Sequence, residues 1–202
     1  MSEIEAAASG PRRRRGAARE KLLAAAARRF YADGVSATGI DAITAEAGVA
    51  KMSLYNNFSS KADLVRAYLD ARHEEWLELY RRRLPVVPDA RAGVLAVFDA
   101  YADHANFAYE HGFRGCGLLN AAAELPAGDE GRAVVRRHKE EVEDLLAGHL
   151  EDLLPGDPER ARATAEHLSF LLEGAMARAG LEGGDTRLDH ARTMAADLLD
   201  RL

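Results

Sequence analysis

The stretch from Thr38 to Lys61 (TGIDAITAEAGVAKMSLYNNFSSK) constrains this chain more than any other feature. Thr38 is predicted to cap a first short helix, with Asp41 three residues on in the place of a capping-box acid. Ile40, Ile43 and Ala47 give that helix one inward stripe. Gly48 follows where a helix ends in a left-handed residue, a conformation free of Cβ clash for glycine. A second helix, Lys51 to Phe58, would expose Lys51, Ser53 and Asn56 and turn Leu54 and Phe58 inward. Two short helices joined by a tight turn form a helix-turn-helix, which presents its second helix to the major groove of DNA.

The segment from Gly48 to Lys61 (GVAKMSLYNNFSSK) also resembles the recognition segment of TetR-family transcriptional regulators, commonly a Gly-Val-Ser-x-x-x-Leu/Ile-Tyr-x-x-Phe-x-x-Lys run. The resemblance reaches back through Phe30, Gly34 and Ile43 to about residue 17 and forward to residue 66. It implies a homodimeric regulator, commonly a repressor, that binds a pseudo-palindromic operator. It also implies a body of helices enclosing a cavity, in which a small effector binds and releases the DNA. The sequence departs from the pattern twice. Ala50 stands for the usual serine cap, and Met52 for a frequent glycine, which leaves the operator sequence open.

Charge bears on the DNA reading. The net charge of −6 taken alone argues against a nucleic-acid partner, but its distribution along the chain points the other way. Residues 11–66 hold 11 lysines and arginines against 5 acids, while residues 67–202 hold 16 against 26. A basic module on an acidic body suits a protein that docks one end on phosphates. The single cysteine, Cys116, excludes an internal disulfide and fits a reducing cytoplasm. No apolar run approaches the ~20 residues of a membrane span, so no membrane partner is expected. The N-terminal arginines precede no apolar segment, as a secretory signal would require.

Helical periodicity continues to the end, and the predicted class is all-α, about nine helices. Residues 1–16 read as a flexible basic arm, 17–60 as the DNA-binding domain and 61–202 as an effector-binding and dimerisation domain. The first helix is expected over Ala17–Asp33, and a long one over Lys61–Leu84. Asp89 caps the next, and a short helix spans Leu118–Glu124. A helix over Glu130–Leu154 turns Val135, His138, Val142, Leu145, His149 and Leu153 inward. The helix from Pro158 to Gly180 has a wide apolar face that includes Leu168, Leu172 and Ala175. In the last helix Leu188, Ala191, Ala195 and Leu198 form a narrow seam that asks for a partner helix. These seven residues are the candidate dimer interface; closing the monomer's own core is the alternative.

Three kinds of DNA contact are expected. Arg14 and Arg15, in the run Arg12–Arg15, read as an arm on phosphates or in the minor groove, against a plain solvated charge run. Lys51, Met52 and Ser53 open the second helix and can meet base edges. Tyr55, Asn56, Lys61 and Thr38 read as phosphate contacts, with core packing the alternative for Tyr55. Effector-pocket candidates are Trp76, Phe98, Tyr101, Asn120, His138 and Phe170, each on a face expected to turn inward, with ordinary core packing the alternative for any one. Together they suggest a mostly apolar ligand. Cys116 reads as a small buried hydrophobe or a redox sensor beside Arg114. The histidines lack metal spacing beyond His138 with Glu141, so neither metal nor cofactor is expected. An enzyme with a helical body is the competing class, but no nucleophile elbow, glycine-rich phosphate loop or His-Glu-x-x-His is present. A third reading is an orphan regulator whose cavity is filled by side chains.

Overall fold

The computed structural model describes residues 11–106 and 112–202, with side chains from residue 16 onward. Among these residues it contains nine α-helices, one short 3-10 turn and no strand. The chain divides into two compact units between Tyr68 and Leu69. The first, the head, comprises α1 (Pro11–Asp33), α2 (Ile40–Ala47), α3 (Lys51–Tyr55) and the first turns of α4 (Lys61–Arg83). Leu22, Phe30, Ile43, Leu54, Phe58 and Tyr68 form its core, none more than 4% exposed. Phe30 meets Tyr68 edge-on at 5.5 Å.

Local chemistry sets the head's helix ends, with three departures from expectation. α1 starts at Pro11, not Ala17, so the backbone is helical through much of the expected arm; proline's fixed φ suits a first helical turn. The side chains of Arg14 and Arg15 lie outside the described residues. Thr38 does not cap α2; Gly39 holds that place without a side-chain bond. Thr38 is buried, and its hydroxyl donates to Gly34 O at 2.6 Å, satisfying a carbonyl beyond the end of α1. α3 ends at Tyr55, not Phe58, because Asn57 donates its side-chain amide to Ser53 O at 2.7 Å. As expected, α2 ends on Gly48 at φ 62°. Glu46 joins α2 to α1 by accepting from Arg28 at 2.6 Å and from Arg29. Ser60 caps α4 by accepting from Asp63 N at 3.0 Å, and the Asp63 carboxylate accepts from Ser59 N at 2.9 Å.

The second unit, the body, takes in the rest of α4 and then α5 (Ala90–Ala105), α6 (Gly117–Glu124), α7 (Glu130–Leu153), α8 (Pro158–Glu182) and α9 (Thr186–Leu199). Asp89, Asp129 and Asp157 cap α5, α7 and α8, each accepting from a backbone N–H. Helices α5, α7, α8 and α9 pack together, with α6 against α7. Gly93 to Phe98 of α5 are buried without interruption, as in a central helix. On α7, Val135, His138 and Val142 are buried as expected, but Leu146 and Leu150 replace Leu145 and Leu153, which are half-buried. The loop before α6 lies directly on α8. A Cβ built at Gly180 would stand 2.6 Å from the Cα and N of Gly115, itself at φ 82°.

The residues of the expected dimer seam pack within the chain. Leu168, Leu172, Ala175, Leu188, Ala191 and Ala195 are all buried within the chain, and Leu198 is half-buried. They lie where α9 packs against α8 and α5. The exposed large apolar side chains of these two helices are Phe170, Leu181 and Met194.

Candidate nucleic-acid interface and ligand cavity

α3 is anchored from beneath. Leu54 is fully buried, Phe58 nearly so, and the Arg19 guanidinium lies 5.1 Å from the Phe58 ring centroid. This anchoring turns the opposite side outward. Met52 is 69% and Tyr55 49% exposed, Lys51 and Asn56 are exposed, and Ser53 is half-buried. The core alternative for Tyr55 therefore does not hold. Lys51 Nζ sits 2.8 Å from Asp41 Oδ1, and that hydrogen bond raises the lysine's pKa and keeps it cationic. Both partners are largely exposed, so the pair is weak and a phosphate or base acceptor can replace Asp41. Lys61 is half-buried at the start of α4. Thr38 does not offer its hydroxyl to this surface, since it closes α1. The outer side of α3 thus combines one cation, hydrogen-bonding Ser, Tyr and Asn groups, and an apolar Met, a set able to meet both groove edges and phosphates. Asn57 was missed by sequence reasoning; its signal is an amide placed where the last carbonyls of a short helix need a donor.

Residues 22–68 match the family model for bacterial regulatory proteins of the tetR family. A TetR-family transcriptional regulator from Streptomyces coelicolor is 34% identical over 92% of this chain and 96% of its own, with a TM-score of 0.81. The chain belongs to the TetR family. It is also similar to a TetR transcriptional regulator from Chloroflexus aurantiacus, 26% identical over 93% of this chain and 96% of that one, with a TM-score of 0.78. A regulatory protein TetR from Rhodobacter sphaeroides is 25% identical, covering 89% and 97%, with a TM-score of 0.73. No curated protein matches the chain. As a TetR-family transcriptional regulator it is a DNA-binding protein, and the helix-turn-helix of α2 and α3 is its DNA-binding element.

The body of this TetR-family regulator contains a small, partly open cavity of about 20 Å³, room for about one water. Trp76, Tyr101 and His138, three of the predicted pocket residues, line it, together with Arg72, His104, Cys116, Leu118 and Met176. The other three predicted residues lie elsewhere. Phe98 is packed in the core, and Asn120 donates to Arg114 O at 2.9 Å. Phe170 stands on the outer face of α8, two-thirds exposed. The Trp76 ring is held on three sides: it stacks on Tyr80 at 5.8 Å and meets Tyr101 at 5.3 Å and His138 at 5.5 Å.

Burial fixes the protonation of this wall. It lowers His104 to about 4, helped by the positive charges of Arg72 and Lys139. It lowers His138 to about 2, with Lys139 and two histidines adding to the effect. Both rings are therefore neutral at neutral pH. His138 Nδ1 lies 2.9 Å from His73 Nδ1, so one of the two donates and the other accepts. Lys139 bonds Glu173 at 2.7 Å and approaches the Tyr101 hydroxyl at 3.3 Å and Cys116 Sγ at 3.6 Å. Burial in turn pushes the Tyr101 phenol well above its usual range. Among the described residues no group of three or more His, Cys, Asp or Glu could hold a metal ion. Among them, too, no helix is long and apolar enough to cross a membrane.

Proposed function

We propose that this TetR-family regulator is a homodimeric repressor that binds a pseudo-palindromic operator in the cytoplasm and is released by a small effector. The observation that carries the DNA half is the outward side of α3, where Lys51, Met52, Tyr55 and Asn56 stand exposed above a rigid Leu54–Phe58 anchor. The effector half rests on the cavity behind Trp76. Residues 61–68 of α4 belong to the head and residues 69–83, with Arg72 and Trp76, to the body, so the two units share one helix. An operator read by two heads demands half-sites about one DNA turn, roughly 34 Å, apart. A ligand that favours another spacing lowers affinity by linkage. Dimerisation is assigned to the outer face of α8 and α9, which carries Phe170, Leu181 and Met194 as exposed apolar side chains.

A gel shift on the DNA flanking its own gene tests the DNA half. The expected result is salt-sensitive, sequence-specific binding, weakened by Lys51→Ala and by Tyr55→Phe. Binding that is weak and indifferent to sequence would remove the regulator reading.

A further inference from the structure

Residues 11–66 hold five acids, and three of them serve the head's own architecture. Asp33 pairs with Arg29, Glu46 with Arg28 and Arg29, and Asp63 with Arg66 and the Ser59 N–H. Glu20 is exposed on α1. Asp41 is placed differently. From the first turn of α2 it reaches Lys51, the first residue of α3, at 2.8 Å. Both side chains are largely exposed, so the pair adds little to stability. An acid in a first turn also suits the helix dipole, but that effect needs no lysine opposite it.

The pair changes what Lys51 can donate to. Its ammonium has three N–H donors, of which Asp41 takes one. A guanine edge offers neutral acceptors and can take a second donor while Asp41 stays in place. A phosphate that approaches the same ammonium stands beside the Asp41 carboxylate, and the like charges repel. The carboxylate also fixes the direction of a long, flexible side chain. Phosphates are alike on every duplex, whereas a guanine edge belongs to a sequence. A carboxylate at this point therefore weakens non-specific binding more than operator binding.

We propose that Asp41 is a positioning residue for operator recognition, holding Lys51 toward a neutral guanine acceptor in the major groove and away from phosphates. This assignment rests on the outer side of α3 meeting base edges.

The test uses the operator that the unaltered protein selects from random-sequence duplexes. Affinities for it and for a scrambled duplex are measured by fluorescence anisotropy at several salt concentrations. The variants are Asp41→Asn, which keeps the size of the side chain and removes its charge, Lys51→Ala, and the two combined. Asp41 is exposed, so its substitution leaves the core of the head untouched. Asp41→Asn should raise affinity for the scrambled duplex and steepen its salt dependence by about one phosphate per head. It should lower the operator-to-scrambled ratio about 5-fold or more, the scale of one base contact. With operators substituted one base pair at a time, the lost preference should fall on the base pair that Lys51→Ala relaxes. In the Lys51→Ala background, Asp41→Asn should no longer change the ratio. An unchanged ratio, a loss of preference spread over the whole site, or an effect that persists without Lys51 would each overturn the inference. If Lys51→Ala relaxes one base pair and Asp41→Asn does not, the inference alone fails. If Lys51→Ala relaxes none, or no duplex is enriched, the base-contact reading of α3 fails and takes the inference with it.

Discussion

Gly180 and Gly148 show how one atom changes meaning with its surroundings. Both are glycines in long helices, where alanine ordinarily stabilises by about 1 kcal/mol. Gly148 has nothing within 4 Å of a built Cβ, so Gly148→Ala should gain about that amount. At Gly180 the same methyl would meet the backbone of Gly115 at 2.6 Å, and backbone cannot turn aside. Gly180→Ala should therefore lose about 1–3 kcal/mol in chemical denaturation. Equal effects at the two sites would mean that the loop before α6 does not lie on α8. Two buried histidines give the residue scale a pH signature. His104 and His138 titrate near 4 and 2 when folded, against 6.5 when free. Below about 6.5 the unfolded chain therefore binds more protons than the folded one. Stability is full above that pH and falls as the pH is lowered, by up to ~1.4 kcal/mol per pH unit for each ring. Denaturation curves between pH 7 and 5 should show this slope, to which His149, also lowered by burial, adds, and His138→Asn should reduce it. A flat profile would mean that the two rings are charged or exposed.

α3 and α4 begin on different chemistry, and their ends can be exchanged. Ala50 precedes α3 with no side-chain cap, while Ser60 caps α4 through Asp63 N. Ala50→Ser should stabilise the head and Ser60→Ala destabilise it, each by about 1 kcal/mol. Thermal melts, with hydrogen exchange at the Ser53 amide, check both signs; loss of stability with Ala50→Ser would show that its hydroxyl cannot reach the helix. Elements of this kind were legible in the sequence. Gly48 marked the end of α2, Asp89 the start of α5, and the Leu54–Phe58 spacing the inner side of α3. What sequence left hidden depends on partners far along the chain. Thr38 looks like a cap until Gly34 O proves to be its acceptor, and α3 looks longer until Asn57 closes it. Three of the six pocket candidates line the cavity, because α4, α5 and α7 each presented one clear inward stripe. Phe170 misled because the broad apolar face of α8 gives no sign of which edge meets the body. Arg72 shares a helix face with Trp76 and His104 with Tyr101, but Cys116 entered the wall through loop packing that no local spacing records.

At the scale of the whole molecule, the proposed dimer rests on that same face of α8. Its buried half, Leu168, Leu172 and Ala175, packs within the chain together with Leu188, Ala191 and Ala195 of α9. The outward sides of α8 and α9 leave Phe170 67%, Leu181 85% and Met194 57% exposed, and these are the side chains assigned to the proposed interface. Two substitutions therefore separate core from interface. Leu188→Ala deletes a side chain 1% exposed and should cost roughly 2–5 kcal/mol of unfolding free energy, while the folded protein still sediments as a dimer. Phe170→Asp should leave the helical content intact yet give a monomer at micromolar concentration. Specific operator affinity should fall with it, because one head then faces the DNA without its symmetric partner. The reverse pattern, a dimer split by Leu188→Ala and indifferent to Phe170→Asp, would return the interface to the α9 seam. That outcome would require α8 and α9 to separate from the core on association, exposing side chains that now pack beside α5.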